Sequence, residues 1–161
     1  MWISIDQATK KSGIAYWEDE KLLNHELLNV KKADFYERLA LIRKEIKKRI
    51  LKNNVDYVLI EGIQLESIEN QSKDISVETF RKLAMLQGVL VELFIELNVD
   101  FDIVRPSVWK SKLNIFHNSR TEQKKEAMSL VYQELQEKVS EDEADAICIG
   151  LSHITEFDSA W

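Results

Sequence analysis

The stretch Trp2-Ile3-Ser4-Ile5-Asp6, at the start of a chain of 161 residues, decides how the rest of the sequence is interpreted. Its apolar, β-branched residues are typical of a buried strand, and this strand ends on an acid. The segment Val58-Leu59-Ile60-Glu61 has the same form. Asp142 and Asp145 lie three residues apart in a predicted helix and share one face of it. We therefore expect folding to bring four acids from three distant segments together.

A cluster of four carboxylates predicts a metal site. Burying several negative charges together is costly unless cations neutralise them, and clustered carboxylates suit hard ions such as Mg²⁺ or Mn²⁺. Two of the acids have simpler interpretations, since Asp6 could be a turn residue and Glu61 an exposed strand end. Glu141 is four residues from Asp145 and shares its helix face nearly as well as Asp142 does, so spacing alone does not choose between them.

Length and composition limit the class of protein. A chain of 161 residues is long enough for one compact domain and too short for two ordinary ones, so we expect residues 1–161 to form one domain. No apolar run approaches the roughly 20 residues that a membrane span needs, so no membrane partner is expected. The single cysteine, Cys148, fits a reducing compartment and is interpreted as a buried core thiol. We therefore expect a cytoplasmic protein.

The order of the predicted elements indicates an α/β fold. The predicted strands span residues 2–6, 12–17, 21–30, 55–61 and 99–104, and the predicted helices span residues 33–51, 76–97 and 121–138. The first three strands form an antiparallel meander, and the later strands are followed by helices, so we expect a mixed sheet flanked by helices. A last helix is expected to start at Ser140, because Ser140-Glu141-Asp142-Glu143 fits a capping box.

The helix predicted at residues 76–97 is apolar on more than one side. Such a helix must be covered on more than one side, by the sheet and by something else. We expect the second cover to be the same helix of another subunit, in a two-fold homodimer where Gly88 permits close approach. The alternative is that other parts of the same domain cover it.

The net charge of −6 argues at first sight against a polyanionic partner, but the basic residues are bunched. Local patches, rather than net charge, decide contact with phosphates. The run at residues 44–52 is interpreted as the solvated face of an amphipathic helix. A second run is interpreted as a DNA-binding surface and contains Lys110, Lys112, Arg120, Lys124 and Lys125.

The acidic segments resemble the three motifs of the RuvC family of Holliday junction resolvases, within the ribonuclease H-like superfamily. The segments are Ile3-Ser4-Ile5-Asp6, Val58-Leu59-Ile60-Glu61-Gly62 and Asp142-Glu143-Ala144-Asp145-Ala146, in matching order and separation along nearly the whole chain. The third motif, Asp-x-x-Asp-Ala, is the most specific and selects Asp142 over Glu141. The resemblance implies a mixed sheet of five strands, a dimer through the apolar helix, and Mg²⁺-dependent paired nicking of four-way DNA.

Individual roles follow from this resemblance. The catalytic and metal-binding acids would be Asp6, Glu61, Asp142 and Asp145. With two ions about 4 Å apart, one would activate water and the other would stabilise the leaving oxygen at a phosphodiester. Lys110, in Arg105-Pro106-Ser107-Val108-Trp109-Lys110, would lie near the scissile phosphate, and Arg120 falls about where the family has a second functional Lys.

Two departures from the family pattern affect the expected activity. The usual Asp-Pro-Gly after the first motif is Asp6-Gln7-Ala8 here, so the turn is expected to differ in shape. Gln64 stands where a well-known member carries an aromatic residue that stacks at the junction crossover. We therefore expect a relaxed enzyme that cuts three-way and fork-like branches as well as four-way junctions.

Two further residues have both a functional and a structural interpretation. His153, eight residues after Asp145, is interpreted either as a partner of the metal site or proton donor, or as a partly buried histidine. Trp109 either stacks on a base or sugar or is buried against the sheet.

Other functions fit part of the sequence. A ribonuclease H-like enzyme that cuts the RNA of RNA/DNA hybrids would need no obligate dimer. Residues 6–13 resemble the phosphate loop of actin-like ATPases faintly, although that fold requires two such domains. A non-catalytic protein that binds branched DNA is the third alternative, and assays with Mg²⁺ against EDTA separate it from a nuclease.

Overall fold

The computed structural model describes residues 1–32, 34–63, 77–116 and 119–158, with side chains up to residue 154. The described residues form five strands and five helices. The strands are β1 (Trp2–Asp6), β2 (Lys11–Glu18), β3 (Lys21–Asn29), β4 (Tyr57–Glu61) and β5 (Asp100–Val104). The helices are α1 (Phe35–Asn53), α2 (Val77–Glu96), α3 (Pro106–Lys112), α4 (Arg120–Leu135) and α5 (Glu141–Asp158).

The five strands form one mixed sheet in the order β3-β2-β1-β4-β5. β2 pairs antiparallel with both β1 and β3, which confirms the predicted meander. β4 pairs parallel with β1, and β5 pairs parallel with β4. The predicted five-stranded α/β fold is therefore confirmed. Because β1, β4 and β5 run the same way, their carboxyl ends lie at one edge of the sheet.

Helices cover both faces of the sheet. Side chains alternate along a strand, so Ile3 and Ile5 of β1 point to one face and Ser4 points to the other. The first face packs against apolar stripes of α1 and α2. The second face packs against α3, α4 and α5, with Trp17 and Trp109 fully buried there. Among the residues described, no helix is long and apolar enough to cross a membrane.

The start of α5 lies against β2 because Gly13 has no side chain. A Cβ added to Gly13 would lie 1.8 Å from the backbone oxygen of Asp142, a distance that atoms do not adopt. Gly13 is also the cross-strand partner of Asp6. The contact therefore places the first turn of α5 beside the carboxyl end of β1.

A buried hydrogen-bond chain and a second glycine continue this contact along α5. Ser4 Oγ donates to the carbonyl oxygen of Ala146 at 2.7 Å and accepts from Trp17 Nε1 at 2.9 Å. A Cβ added to Gly150 would lie 2.3 Å from the Trp17 ring. Small residues and matched polar groups thus hold α5 close to β1 and β2.

The predicted capping box at the start of α5 is confirmed. The Glu143 amide donates to Ser140 Oγ at 3.3 Å, and the Ser140 amide donates to Glu143 Oε2 at 3.1 Å. Nδ1 of His25, on β3, lies 2.9 Å from Glu143 Oε1. The helix start is therefore tied to an edge strand as well as to its own cap.

The structure adds a short helix to the predicted elements and ends helix α4 earlier than predicted. The stretch after β5, which has no clear periodicity, contains the short helix α3, with Pro106 in its first turn, where a missing amide hydrogen costs nothing. Helix α4 ends at Leu135 rather than residue 138 because Gln136 adopts a left-handed backbone conformation with φ of 55°.

Helix α2 buries one side and exposes apolar residues on another. Leu86, Leu90, Leu93 and Phe94 are buried in the core. Met85 and Ile95 are 48% and 66% exposed. Part of the apolar surface seen in the sequence thus stays uncovered by the described residues of the same chain.

Replacing Gly13 with Ala is expected to destabilise the protein, because the added methyl meets the backbone of α5. Overpacking of this kind costs about 1–3 kcal/mol, which lowers Tm by roughly 2–12 °C in a chain of this size. Gly62→Ala is the matched control, since its methyl would first meet the 44% exposed Ile103 side chain, at 2.9 Å. Thermal unfolding measures both variants, and equal Tm values would contradict this account.

Candidate active site

Two of the predicted acids lie side by side at the carboxyl edge of the sheet. β1 and β4 are parallel neighbours paired through Ile5 and Ile60, so the residue that follows in each strand reaches the same edge. Those residues are Asp6 and Glu61, and their side chains are hydrogen-bonded to each other. The structure therefore brings the first two acidic segments into direct contact.

The third acidic segment approaches the same edge from the first turns of α5. The backbone of Asp142 contacts Gly13, the cross-strand partner of Asp6. The negative charges of Asp145 and Asp142 both act on the Asp6 carboxyl group. The four acids thus form one electrostatic cluster, as the sequence predicts.

Burial raises the pKa of every acid in the cluster, and neighbouring negative charges add to this effect for Asp6, Asp142 and Asp145. Burial and then the charges of Glu61, Asp145 and Asp142 raise the pKa of Asp6 well above its usual range. Burial and the charge of Glu61 raise the pKa of Asp145 to about 6. Burial is also the main cause of the raised pKa values of Glu61 and Asp142. The cluster therefore holds protons more tightly than isolated carboxylates do.

Trp109 orients Glu61. The indole is 1% exposed, and its Nε1 donates to Glu61 Oε1 at 2.8 Å. This hydrogen bond favours the ionised carboxylate and opposes the effect of burial on the pKa of Glu61. Of the two interpretations of Trp109, burial is correct, and the hydrogen bond to the acid is a contact that sequence reasoning missed.

Gln7 connects the ends of β1 and β4 to α2. Its side chain is buried, and Nε2 donates to the backbone oxygen of Glu61 at 2.8 Å and to Gln87 Oε1 at 2.9 Å. Gln87 Oε1 also accepts from the Ile63 amide at 3.2 Å. Sequence reasoning noticed only that Gln7 departs from the family's turn. Its position next to Asp6 was the available signal for this supporting role.

Lys110 lies beside the cluster. Its Nζ donates to Gln123 Oε1 at 3.0 Å and sits 5.2 Å from the centre of the Trp109 ring. Its positive charge lowers the pKa of Glu61 and of Asp145. Lys110 therefore lies within electrostatic reach of Glu61 and Asp145, and its expected place near the scissile phosphate stays a prediction.

Arg120 and Lys124, at the start of α4, also act on the cluster. Arg120 lowers the pKa of Glu61, and Lys124 lowers the pKa of Asp142 while forming an ion pair with Glu141. Lys125 is exposed on the same helix. The cations of α3 and α4 therefore partly offset the negative charge of the acids.

His153 lies away from the acids. The His153 ring is 5.3 Å from the Trp2 ring and 5.4 Å from the Tyr57 ring. Trp2 and Tyr57 begin the strands that Asp6 and Glu61 end, about 13 Å away along the strand. His153 is therefore placed as a packed histidine rather than as a partner of the cluster. Lys112 lines a cavity that also includes Tyr57 and His153. Gln64 lies outside the described residues.

The chemistry of the donor set fits a hard divalent cation. Carboxylate oxygens are the ligands that Mg²⁺ and Mn²⁺ prefer, and a bound cation would relieve the repulsion that raises the pKa values. Within the described ranges, no group of three or more His, Cys, Asp or Glu residues is arranged to hold a metal ion as it stands. Asp6 and Glu61 instead share a hydrogen bond, so cation binding would displace the shared proton.

No protein-family model and no curated protein sequence matches the chain. Solved structures do: RuvC of Thermus thermophilus in complex with a Holliday junction substrate aligns with a TM-score of 0.72 and 18% identity, over 98% of this chain and 94% of that one. The fowlpox virus resolvase in complex with Holliday junction DNA aligns with a TM-score of 0.64 and 15% identity, over 96% of this chain and 97% of that one. The yeast mitochondrial Holliday junction resolvase Ydc2 aligns with a TM-score of 0.61 and 19% identity, over 94% of this chain and 76% of that one. These similarities show that the chain shares the α/β fold of these resolvases.

Asp145→Asn is expected to stabilise the metal-free protein near neutral pH. The pKa of Asp145 is about 6 when folded and about 3.9 when unfolded, so between these values the folded state binds more protons. The free energy of unfolding therefore falls as pH rises through this window, and Asn removes that loss. Thermal unfolding in EDTA should give a variant Tm that exceeds the wild-type Tm at pH 7.5 and approaches it near pH 4.

The same pair of proteins tests cation binding. Mg²⁺ should raise the Tm of the wild type at pH 7.5 more than that of Asp145→Asn, because the ion replaces the missing countercharge. Asp100→Asn, at an exposed position where β5 begins, is the control and should behave as the wild type. An equal response of all three proteins to Mg²⁺ would count against a metal site at the cluster.

Proposed function

We propose that the protein is a metal-dependent endodeoxyribonuclease that resolves four-way DNA junctions. The observation that carries the proposal is the acid cluster at the carboxyl edge of β1 and β4, with Asp6 and Glu61 in contact and the charges of α5 acting on them. The fold supports it, because Holliday junction resolvases with bound junction DNA share this fold over nearly the whole chain.

The proposed metal ligands are Asp6, Glu61, Asp142 and Asp145. One or two Mg²⁺ or Mn²⁺ ions bound there would supply an activated water and a stabilised leaving oxygen for hydrolysis of a phosphodiester. Trp109 keeps Glu61 oriented and favours its ionised form, which a metal ligand requires. Lys110 and Arg120 offset the charge at the attacked phosphate.

A two-fold homodimer through the outer side of α2 is the second part of the proposal. The exposed apolar residues there are Val77, Met85 and Ile95, and a Cβ on Gly88 would have no described neighbour within 4 Å. A four-way junction has near two-fold symmetry, so two identical sites on one dimer suit the nicking of opposing strands. Gln87, on the same helix, accepts a hydrogen bond from Gln7, the residue after Asp6.

Several finer expectations stay predictions. They are DNA contact by Lys112 and Lys125, activity on three-way and fork-like branches, a single domain over residues 1–161, and a cytoplasmic location. The cluster is also compatible with the ribonuclease H-like alternative, because metal-assisted hydrolysis of a phosphodiester requires ligands for the ions whether the strand is DNA or RNA.

Asp6→Asn is expected to lower nicking of four-way junctions more than about 1,000-fold, about 4 kcal/mol of transition-state stabilisation, because it removes a central metal ligand. Junction binding should survive. The assay incubates labelled four-way, three-way and linear DNA and an RNA/DNA hybrid with Mg²⁺ or EDTA, with Asp100→Asn as the control. Full activity of Asp6→Asn would end the proposal.

The substrate panel separates the alternatives. Cutting confined to the hybrid would favour the ribonuclease H-like enzyme, and junction binding without Mg²⁺-dependent cutting would favour the non-catalytic protein. Nicking confined to four-way junctions would show that the expectation of relaxed selectivity is wrong.

Ile95→Lys is expected to convert a dimer into a monomer, because it places a charge in the apolar side of α2. Leu51→Lys is the control, since Leu51 is also exposed, at 57%, but lies near the end of α1. Light scattering at micromolar concentration gives the mass of each protein. A monomeric wild type would remove the dimer from the proposal.

A further inference from the structure

We propose that Lys10, Lys11, Lys31 and Lys32 form a phosphate-binding surface for one arm of the DNA substrate, on the β2–β3 side of the acid cluster. This inference rests on the proposed function. Lys110 lies on the other side of the cluster, beside β4 and α3. The DNA backbone would therefore be held by cations on both sides of the acids. The four residues are called the lysine surface below.

Two turns that are far apart in sequence bring the lysine surface together. Lys10 and Lys11 lie where β2 begins, and Lys31 and Lys32 follow the end of β3. The Val30 amide donates to the Lys10 carbonyl oxygen at 2.8 Å, and Lys11 pairs with Asn29 across the two strands. Both lysine pairs therefore lie at the same end of the β2–β3 ribbon.

A buried arginine joins the two turns. Arg38 is 7% exposed; its Nε donates to the Thr9 carbonyl oxygen at 2.9 Å and its Nη1 to the Lys32 carbonyl oxygen at 2.6 Å. Burying a guanidinium is costly unless it is well hydrogen-bonded. Two of its hydrogen bonds go to the backbone of Lys32 and to that of Thr9, the residue before Lys10. The relative position of the two turns is therefore fixed by a specific structure rather than by chance proximity.

The lysine side chains are available to a ligand. All four residues are exposed, and none forms a salt bridge within the part of the chain that the structure describes. The basic run of α1 differs, since Lys47 bonds Glu96 at 2.6 Å and Arg49 bonds Glu26 at 2.8 Å. Some positive charges of α1 thus form ion pairs with acids of the same chain, whereas those of the lysine surface form none within the described residues.

Acids beside the lysine surface are fewer than its lysines. Asp34 and Glu37 lie at the start of α1, just after Lys32. The Asp34 carboxylate accepts from the Glu37 amide at 2.9 Å as the helix cap, so part of its charge interacts with the helix dipole. In the two segments that carry the lysine surface and in the start of α1, positive charges therefore outnumber negative ones, on a protein whose net charge is −6.

The surface adjoins the acid cluster. Lys11 is two residues before Gly13 in β2, so its side chain leaves the face of the sheet that α5 covers. The charge of Lys11 also lowers the pKa of Asp142, which places it within electrostatic reach of that acid. A DNA backbone passing the cluster would reach the lysine surface without leaving the protein.

A DNA phosphate backbone is the ligand that this arrangement suits. On a protein of net negative charge, a polyanion binds where cations are concentrated. Lysines serve phosphates as point charges and need no fixed hydrogen-bond geometry, which fits contact with a backbone irrespective of sequence. Contacts of this kind give affinity that falls steeply with salt concentration.

Three double variants test the proposal. They are Lys10→Gln with Lys11→Gln, Lys31→Gln with Lys32→Gln, and the control Lys44→Gln with Lys48→Gln. Each removes two positive charges, but exposed Lys44 and Lys48 lie about 13 Å or more from the start of α1. Affinity for a labelled four-way junction is measured at several salt concentrations, with Ca²⁺ replacing Mg²⁺ and the absence of nicking verified.

Either lysine-surface variant should reduce the slope of log affinity against log salt concentration by about 0.9 for each lost phosphate contact, roughly 1.8 in all. The control should keep the wild-type slope. With Mg²⁺, the same variants should raise KM and leave kcat within about twofold, because the lysines do not touch the reacting atoms. All three should keep the wild-type Tm, since exposed side chains are changed.

The outcomes separate this inference from the proposed function. Junction binding by the wild type together with unchanged slopes in both lysine-surface variants would overturn the lysine surface and leave the nuclease intact. A wild type that binds no branched DNA would overturn the nuclease and the lysine surface with it. An equal loss of slope in the control would also overturn the proposal, because net charge rather than position would then be responsible.

Discussion

The close contact between α5 and the sheet is the constraint on which the candidate site depends. Gly13 lets the backbone of Asp142 approach β2, and the buried Ser4 hydroxyl bonds both the Ala146 carbonyl and the Trp17 indole. A larger residue at Gly13 or at Ser4 would push α5 away from the carboxyl end of β1. The acids of α5 would then stand apart from those of the strands, because a helix moves as a rigid unit.

The cluster that this contact creates is unfavourable for the folded protein alone. Burial raises the pKa of each acid, repulsion within the cluster adds to this effect for Asp6 and Asp145, and Asp6 and Glu61 are hydrogen-bonded to each other. The rest of the fold compensates through groups that favour the ionised state, such as the Trp109 indole and the Lys110 ammonium. Buried acids with raised pKa values are typical of functional sites. A cation bound at such a site supplies the positive charge that the protein alone lacks.

The charges of this acidic protein are unevenly distributed over the described residues. Most acids outside the cluster form ion pairs or lie on exposed faces, as Glu96 does with Arg43 and Lys47. The positive charges of Lys110 and Arg120 act on Glu61, and those of Lys124 and Lys11 act on Asp142. The net charge of the protein therefore does not decide which charged ligands it binds. Charges in salt solution act on one another over a Debye length of about 8–10 Å rather than across the whole molecule.

The sequence by itself determined the elements and the position of the acids along them. Strand alternation, helix periodicity and the Ser140 capping box are short-range patterns that depend on neighbours within four residues, so they could be predicted without a fold. The placement of Asp6 and Glu61 at strand ends followed from the same patterns. Which of Glu141 and Asp142 belongs with them did not, and only resemblance to a family chose between these two acids.

The tertiary structure alone decided which distant groups meet. Trp109 bonds Glu61, 48 residues away in the sequence, and Gln7 bonds Gln87, 80 residues away. Arg38 bonds the backbone of Thr9, 29 residues away, beside one of the lysine pairs. His153, which shares a helix with Asp145, is carried to the opposite end of the strands. Contacts of this kind depend on strand order, register and the closeness of helix packing, and no local pattern in the chain encodes those quantities.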